Sequence, residues 1–340
     1  MKVGVIFGGK CEEHDVSCMS GATVMDAARE AGFETVPIAI GKDGAWFVGD
    51  GATSFIRGAT QDPDGTSPEA AVAAIRRSGI DVLFPITHGR GGEDGVLQGF
   101  LETCGLPYVG TGVLGSAICM DKVLQKFACK SAGIPIVRFV WGDKDGWHVG
   151  KKWLQESVKG FGPPYFVKPS NQGSSVGVTK VKSLDGLHDA VENALAHDVR
   201  FLVEEGIENA RELNIGLLET KSGLKLSEIG EIKHHAEFYD YDAKYKDEDT
   251  ELIIPAKIDR DIKALIESIA ESAWKHLACR GFARMEFLLG PKGDVYLLEV
   301  NTLPGFTSHS IYPRLFQATG LDIKTVVKEL VMFSQSPNSQ

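Results

Sequence analysis

The first hundred residues alternate between short apolar runs and segments with apolar positions on one helical face. The runs 2–7, 35–40 and 81–87 predict buried strands. The segments 17–31 and 68–78 between them predict helices, with Ser17 as a candidate N-cap. Strands that alternate with helices are typical of an α/β domain with a mostly parallel sheet, in which ligands bind at the carboxyl ends of the strands.

The pattern changes after a long apolar and amphipathic stretch at 115–132, which predicts one continuous helix. The rest of the chain carries mostly short strands with fewer helices, as in α+β units. The first group of strands is predicted at 137–141, 165–168, 175–181 and 201–205, with a helix at 184–196. The second group is predicted at 212–219, 224–232, 283–289 and 295–299, with helices at 261–277 and 322–333.

Composition narrows the class of protein. The 340 residues include 36 Lys and Arg against 46 Asp and Glu, a net charge of −10, which argues against a broad nucleic-acid-binding face. The six cysteines include no Cys-x-x-Cys pair, so free thiols are the expectation. No apolar run approaches the ~18 residues of a membrane helix. The sequence therefore predicts a cytoplasmic protein without membrane insertion.

Polar residues alternate along the two strands predicted within 283–301. Arg284 and Glu286 share one face of the first strand, and Glu299 and Asn301 share one face of the second. Oxygen donors converging from neighbouring strands suit Mg²⁺, which shares such ligands with nucleotide phosphates. The alternative is ordinary polar alternation on a solvent-facing sheet.

Three further motifs are candidates for chemistry. The segment 168–177 (KPSNQGSSVG) follows a strand with a Gly/Ser loop that suits a phosphate, or is an ordinary hairpin loop. The segment 88–95 (HGRGGEDG) places charged residues at a strand end, or begins a helix with Asp94 as its N-cap. The segment 238–245 (FYDYDAKY) holds aromatic residues in a polar stretch, as in a lid over a site or a surface packed on a neighbour.

These motifs, in this order and with 299–310 (EVNTLPGFTSHS), resemble the D-alanine–D-alanine ligase family of ATP-grasp enzymes over residues 2–330. The resemblance implies an α/β, three-domain ATP-grasp fold. It places an N-terminal parallel α/β domain at 1–111, two α+β domains that clasp ATP at 112–204 and 205–333, and a tail at 334–340.

The same resemblance implies an activity. Family members activate the carboxylate of one D-alanine with ATP, and the amine of a second D-alanine attacks the acyl phosphate to give D-alanyl-D-alanine, ADP and phosphate for peptidoglycan precursors. Two Mg²⁺ ions are implied as cofactors, with Mn²⁺ as an alternative, and K⁺ activates some relatives. The implied partners are ATP, two D-alanine molecules and a second copy in a homodimer formed through the N-terminal domain.

The resemblance also assigns roles by motif match. The residues implied to bind the nucleotide are Lys122, Lys168, Ser174, Glu204, Glu205, Ile207, Glu212 and, from the lid, Lys244. The residues implied to bind the metal ions are Glu286, Glu299 and Asn301. Glu13 is implied to pair with the ammonium of the first D-alanine near His88, and Ser174 and Tyr245 to link Glu13 to the lid. The residues implied to hold the tetrahedral intermediate and the second carboxylate are Arg284, the Gly305 amide, Ser310 and the Ile311 amide.

This chain departs from the usual family pattern at the positions given below, and the same comparison raises several alternative functions. Glu286 stands where the family usually has aspartate, and Glu205-Gly206 stands where a lysine often follows the adenine-pocket glutamate. Some relatives join D-alanine to D-lactate, although the AKY motif that ends in Tyr245 favours dipeptide formation, and D-serine is an alternative second substrate because its hydroxymethyl group adds little bulk. A rival of another class is an ATP-grasp protein that binds nucleotide without catalysis. The base that deprotonates the attacking amine is left open.

Overall fold

The computed structural model describes residues 1–56, 65–147, 151–233 and 251–336. The first part of the chain forms a four-stranded sheet in the order β3-β2-β1-β4, with β1 parallel to both β2 and β4 and with β3 antiparallel to β2. Its elements are β1 (Lys2–Gly8), α1 (His14–Glu30), β2 (Glu34–Ile40), β3 (Trp46–Val48), α2 (Asp50–Ile56), α3 (Pro68–Arg77), β4 (Val82–Pro85) and α4 (Val96–Thr103). The predicted parallel α/β arrangement is confirmed.

Ser17 lies inside α1 and is not its N-cap, so that prediction was wrong. Its buried hydroxyl donates to the Ile86 carbonyl at 2.7 Å and accepts from the Gly8 amide at 2.8 Å. Backbone groups just past a strand end have no ladder partner, and a buried hydroxyl can satisfy them. Ser17 therefore ties α1 to the ends of β1 and β4.

Asp94 is likewise not the N-cap of α4. The cap is Gly95, with φ of 92°, a left-handed backbone that favours glycine. Asp94 accepts from the amides of Gly91 and Val96 and so closes the loop before the helix.

The single helix predicted over 115–132 is two helices, α5 (Val113–Met120) and α6 (Lys122–Ser131). Asp121 separates them with an extended backbone, and its carboxylate caps α6 by accepting from the Leu124 amide at 3.0 Å. Periodicity alone did not show the break, because both helices are apolar on the same side.

The second sheet is antiparallel, in the order β5-β8-β6-β7. It is built from β5 (Phe139–Asp143), α7 (Lys144–Trp147), α8 (Lys151–Ser157), β6 (Tyr165–Pro169), β7 (Thr179–Val181), a 3₁₀ turn (Leu184–Gly186), α9 (Leu187–His197) and β8 (Arg200–Glu205). The strand predicted at 175–181 covers only 179–181. Ser174 and Ser175 have φ of 46° and 60°, which removes them from any strand.

The third sheet is antiparallel, in the order β11-β10-β9-β12-β13. Its elements are β9 (Arg211–Thr220), β10 (Gly223–Lys233), β11 (Glu251–Ile253), α10 (Arg260–His276), β12 (Phe282–Leu289) and β13 (Val295–Asn301), followed by α11 (Ile311–Ala318) and α12 (Ile323–Ser334). Ala283, Met285 and Phe287 pack with α10 in one core. The alternate positions of β12 therefore face away from α10.

A second core joins the first and third sheets, because Phe7 and Phe84 cluster with Phe282 and with Tyr312 of α11. Helix α12 continues to Ser334, so the tail predicted at 334–340 begins later than expected, and 337–340 lie outside the described residues. Across the described ranges, no helix has the length and hydrophobicity needed to cross a membrane.

Candidate active site

Two adjoining cavities lie where the three sheets approach one another. The first cavity is lined by residues of all three parts, among them Glu13, His88, Arg284, Gly305 and Ser310. The second cavity lies beside the second sheet, and its lining includes Lys168, Ser175, Glu204, Glu205 and Ile207. Both cavities share a wall formed by Lys122, Gln172, Gly173, Ser174, Glu212, Glu286 and Glu299. The fold thus brings together nearly every described residue singled out from the sequence.

Glu13 stands at the start of α1, just after the turn that ends β1. Its carboxylate accepts a hydrogen bond from the Ser174 hydroxyl, 161 positions further along the chain. Ser174 reaches it from the loop after β6, with the left-handed backbone noted above. A Cβ on Gly89 would come within 3.1 Å of Glu13 Oε2, so the chain approaches this carboxylate closely where only glycine fits.

His88 follows β4 and is buried in the first cavity. Its Nδ1 lies 3.1 Å from the Leu303 carbonyl and its Nε2 lies 3.5 Å from Ser20 Oγ, which also accepts from the Phe306 amide. Burial lowers the pKa of His88, so the ring is neutral at physiological pH. A neutral ring held at both nitrogens positions the 303–306 loop against α1.

Glu93, in the same loop as His88, was not assigned a role from the sequence. It is 8% exposed, and its Oε2 accepts from the Gly89 amide at 2.7 Å. Burial and, secondarily, the charge of Glu13 raise the pKa of Glu93 well above its usual value. The sequence signal that could have identified Glu93 is an acidic residue among glycines at the end of a strand.

Four polar side chains occupy the cavity-facing positions of β12 and β13, as the alternation predicts. Glu286 lies opposite Glu299 in the register and Arg284 lies opposite Asn301, with an irregularity just after Glu286. Arg284 donates to the Glu286 carboxylate. Two carboxylates on directly opposite positions repel unless a cation lies between them.

This donor set fits a magnesium ion that shares its coordination with phosphate and water. No cluster of three or more His, Cys, Asp or Glu side chains suited to a metal occurs within the described ranges. Glu286, Glu299 and the amide oxygen of Asn301, which accepts from the Leu303 amide at 2.9 Å, place hard oxygen atoms on one wall of the first cavity. Mg²⁺ is usually bound in this way, by one or two carboxylates plus substrate phosphates.

The loop between β13 and α11 brings Gly305 and Ser310 together. Ser310 Oγ accepts from the Thr307 amide at 2.9 Å, and a Cβ on Gly305 would lie 2.9 Å from the same oxygen. A side chain at 305 would therefore displace Ser310. Ile311 begins α11, so its amide is among the unpaired donors of a helix N-terminus.

Glu204 is buried between two lysines at the end of β8. Its carboxylate lies 2.7 Å from Lys126 Nζ and 2.7 Å from Lys168 Nζ. Burial alone would raise the pKa of Glu204, but the two ammonium groups outweigh it and hold the pKa at about 2. Burial alone would lower the pKa of Lys168, but the charge of Glu204 outweighs burial and raises that pKa. Both side chains are therefore ionised beside the second cavity.

Glu205, the next residue, has different partners from Glu204. Its carboxylate accepts from Arg138 Nε at 2.6 Å and from the Gly162 amide at 3.1 Å. Ile207 and Glu212 also line the second cavity, with Glu212 on the shared wall. Lys244 and Tyr245 lie outside the described residues.

The sequence models that describe the N-terminus and the C-terminus of D-Ala–D-Ala ligases match residues 2–111 and 128–332. The chain belongs to the D-alanine–D-alanine ligase family. Among curated relatives, the D-alanine–D-alanine ligase of Geobacillus thermodenitrificans is 39% identical over 97% of this chain and 94% of its own length. That of Rhodococcus erythropolis is 39% identical over 97% of this chain and 95% of its own.

Solved structures of the family share the architecture. The VanG D-Ala:D-Ser ligase from Enterococcus faecalis superposes with a TM-score of 0.84 at 31% identity, covering 98% of this chain and 99% of its own. The D-alanine–D-alanine ligase from Coxiella burnetii gives 0.79 at 29% identity, covering 98% and 95%. The predicted α/β ATP-grasp fold is thereby confirmed.

Two residues that sequence reasoning missed hold the cavity wall of this chain in place. Asp121 accepts from the Ser170 hydroxyl at 2.7 Å and from Arg200, and the Lys122 amide donates to the Ser170 carbonyl. Lys126 is almost fully buried against Glu204. Neither stood out, because each lies within an ordinary amphipathic helical pattern and its partner is distant in sequence.

Proposed function

We propose that this chain joins two D-alanines to D-alanyl-D-alanine with ATP, through an acyl phosphate, as a step of peptidoglycan precursor synthesis. The observation that carries the proposal is the first cavity, which gathers Glu13 from the start of α1 with Arg284 and the Glu286–Glu299 pair from β12 and β13. It presents an acceptor for an ammonium, a donor for an oxyanion and ligands for a divalent ion. Phosphoryl transfer needs this neutralisation and positioning of charge.

Glu13 binds the ammonium of the first D-alanine in this proposal. The Ser174 hydroxyl orients the carboxylate, and Tyr245 extends the link to the lid. His88, neutral and fixed by the Leu303 carbonyl, lies beside the bound amino acid.

Glu286, Glu299 and Asn301 would hold the divalent ions, two Mg²⁺ with Mn²⁺ as an alternative. When bound, these ions neutralise the phosphate charge that builds up during transfer. Glu286 is one methylene longer than aspartate and still presents its carboxylate opposite Glu299. Arg284 lies against Glu286 and so directs its guanidinium at the same region of the cavity.

The second cavity holds the nucleotide in this proposal. Lys122 and Lys168 bind phosphate oxygens, with Ser174 on the shared wall, and Lys244 adds a charge from the lid. Glu204 keeps Lys168 charged and in place. The residues proposed to line the adenine and ribose sites are Glu204, Glu205, Ile207 and Glu212. Because Arg138 and Gly162 engage the Glu205 carboxylate, its contribution to the nucleotide comes from its backbone.

Arg284 and the Gly305 amide stabilise the oxyanion formed when the second amine attacks. Ser310 and the Ile311 amide bind the carboxylate of that second D-alanine, since a helix N-terminus favours an anion. Closure of the lid keeps water from the acyl phosphate.

The remaining assignments concern the whole molecule. We propose the division into 1–111, 112–204 and 205–333, a homodimer formed through the first domain, a cytoplasmic location and activation by K⁺ as in some relatives. The three sheets support the division, since each lies within one of these ranges except for Glu205, the last residue of β8 in the second sheet.

Product identification tests the function. The protein is incubated with ATP, Mg²⁺ and D-alanine, and separately with an equimolar mixture of D-alanine and D-serine, with L-alanine as control. We expect D-alanyl-D-alanine as the main product in both. The likeness to a D-Ala:D-Ser ligase at 31% identity makes the mixture informative: D-alanyl-D-serine as the main product would reassign the second substrate, and no dipeptide at all would refute the proposal.

A further inference from the structure

The glycine-rich loop between β4 and α4 contains a buried carboxylate that the proposed function leaves unused. Glu93 lines the first cavity and is 8% exposed. Its Oε2 accepts from the Gly89 amide at 2.7 Å. Its Oε1 is buried and has no hydrogen-bond partner anywhere in the described part of the chain. Buried polar atoms are almost always paired, so an exception at a cavity wall points to a ligand.

Glu93 and Glu13 flank the same glycine. The Gly89 amide donates to Glu93, and a Cβ built on Gly89 would lie 3.1 Å from Glu13 Oε2. The loop is closed from behind, since the Glu93 amide donates to the Gly89 carbonyl at 2.9 Å. The tight turn thus holds the Glu93 carboxylate in place, and its Gly89 lies against Glu13, so both carboxylates are near this glycine.

The charges around Glu93 favour a cation between these carboxylates. The charges of Glu13 and, more weakly, Glu299 repel the ionised Glu93 carboxylate, and Arg284 attracts it. Burial also disfavours the ionised form of Glu93. His88, the other titratable group of the loop in this cavity, is neutral through burial and supplies no positive charge. A ligand ammonium has three N–H donors and one charge, which satisfies two carboxylate acceptors at once.

We propose that Glu93 is a second ammonium-binding residue of the first-substrate site and that it selects amino acids over hydroxy acids there. This rests on the proposed ligase function and on the assignment of Glu13 to the same ammonium. A 2-hydroxy acid offers one O–H donor and no charge, so it can satisfy only one of the two carboxylates. Binding it through Glu13 leaves the Glu93 Oε1 atom buried without a partner in the described part of the chain, which is disfavoured.

The test measures which acid enters the first position. Wild type, Glu93→Gln and the control Asp94→Asn are incubated with ATP, Mg²⁺ and equal concentrations of D-alanine and D-lactate. D-lactate in the first position gives the amide D-lactyl-D-alanine, which survives mild base. D-lactate in the second position gives the isomeric ester D-alanyl-D-lactate, which does not. Asp94 is a matched control, because it also accepts from backbone amides of this loop but does not line the cavity.

The inference predicts a change in selectivity rather than a general loss. In Glu93→Gln the ratio of D-lactyl-D-alanine to D-alanyl-D-alanine rises about 10- to 100-fold, the size expected for one charged hydrogen bond, while the KM for ATP stays within about twofold. Asp94→Asn keeps the wild-type ratio. A lower activity of Glu93→Gln with an unchanged ratio would assign Glu93 a structural role and overturn the inference.

The experiment distinguishes a failure of the proposed function from a failure of the role proposed for Glu93. If wild type forms no dipeptide, the proposed function fails, whereas dipeptide from wild type with an unchanged ratio in Glu93→Gln refutes only the role of Glu93. If Glu93→Gln does not fold, Glu93→Asp replaces it. This variant keeps the charge but withdraws it by one methylene, and it is expected to raise the ratio in the same direction by a smaller factor; an unchanged ratio again overturns the inference.

Discussion

The Ser174 hydroxyl donates a hydrogen bond to the Glu13 carboxylate and so joins the loop after β6 to the start of α1. This contact spans 161 residues and connects the wall shared by the two cavities to the proposed site of the first substrate. A change at Ser174 is therefore expected to alter the position of the Glu13 carboxylate in the first cavity.

Ser174→Ala removes the hydroxyl and keeps the backbone position. We expect the apparent KM for the first D-alanine to rise about 10- to 100-fold, since a hydrogen bond to a charged group is lost, with a much smaller change in the KM for ATP. Glu13→Gln is expected to act in the same direction. Steady-state kinetics with D-alanine and ATP varied in turn measure both. Glu12→Gln, an exposed neighbour, is the control, and equal losses for D-alanine and ATP would contradict the assignment.

Glu299→Gln tests the metal ligands. The substitution removes one of two opposed carboxylates, so the Mg²⁺ concentration for half-maximal activity is expected to rise at least tenfold, because loss of even an outer partner costs about 10- to 100-fold in metal affinity. Glu286→Asp, which keeps a carboxylate, is expected to remain active with a small shift. A magnesium titration of dipeptide formation gives these midpoints, and an unchanged midpoint in Glu299→Gln would exclude it as a ligand.

Glu204→Gln tests the buried ion cluster through stability. The folded pKa of about 2 lies below the usual 4.5, so the carboxylate contributes stability that is complete above about pH 4.5 and is lost as the pH falls through about 2. We expect the variant to lose about 3–5 kcal/mol at pH 7, where two buried lysines lose their partner, and less as the pH approaches 2.

Urea denaturation of both proteins from pH 7 to pH 2.5 measures this difference. Glu205→Gln is the matched control, because it removes the same charge from the adjacent residue, whose partner Arg138 is exposed. A pH-independent difference between Glu204→Gln and wild type would show that the loss comes from packing and not from ionisation.

The cysteines provide a test of the fold. All six are free thiols, and Cys119 Sγ lies 3.9 Å from Cys279 Sγ in a thiol hydrogen bond without a disulfide. Burial raises the pKa of Cys11 to about 11 and that of Cys18 to about 12, which suppresses their reactive thiolates. With iodoacetamide at pH 8, partly exposed Cys104 is therefore expected to react first. Labelling followed by peptide mass analysis checks this, and equally fast labelling of Cys119 would contradict the packing of α5.

The sequence predicted the features that depend on local pattern. The alternation in β12 and β13 placed Arg284 and Glu286 on one face, because the opposite face packs on α10. The parallel first sheet followed from strands separated by helices. The family resemblance, rather than periodicity, supplied the role of Glu13.

The features that the sequence did not predict arise from contacts between distant segments. Asp121 interrupts a helical pattern because Ser170 and Arg200 bind its carboxylate. Ser175 leaves the predicted strand, with φ of 60°, beside Ser174, whose hydroxyl reaches Glu13. At such positions the backbone departs from the structure that local sequence propensity predicts, because contacts at the site require another conformation. This is expected of functional positions.

The most direct test of the central claim follows the oxygen of the first carboxylate. D-alanine labelled with ¹⁸O in its carboxylate is incubated with ATP, Mg²⁺ and the protein, and the released phosphate and the dipeptide are analysed by mass. Attack of the carboxylate on the terminal phosphate of ATP predicts one ¹⁸O in each phosphate released and one phosphate for each D-alanyl-D-alanine formed. Dipeptide formation with unlabelled phosphate would contradict the acyl phosphate and the roles proposed for Arg284 and the metal ligands.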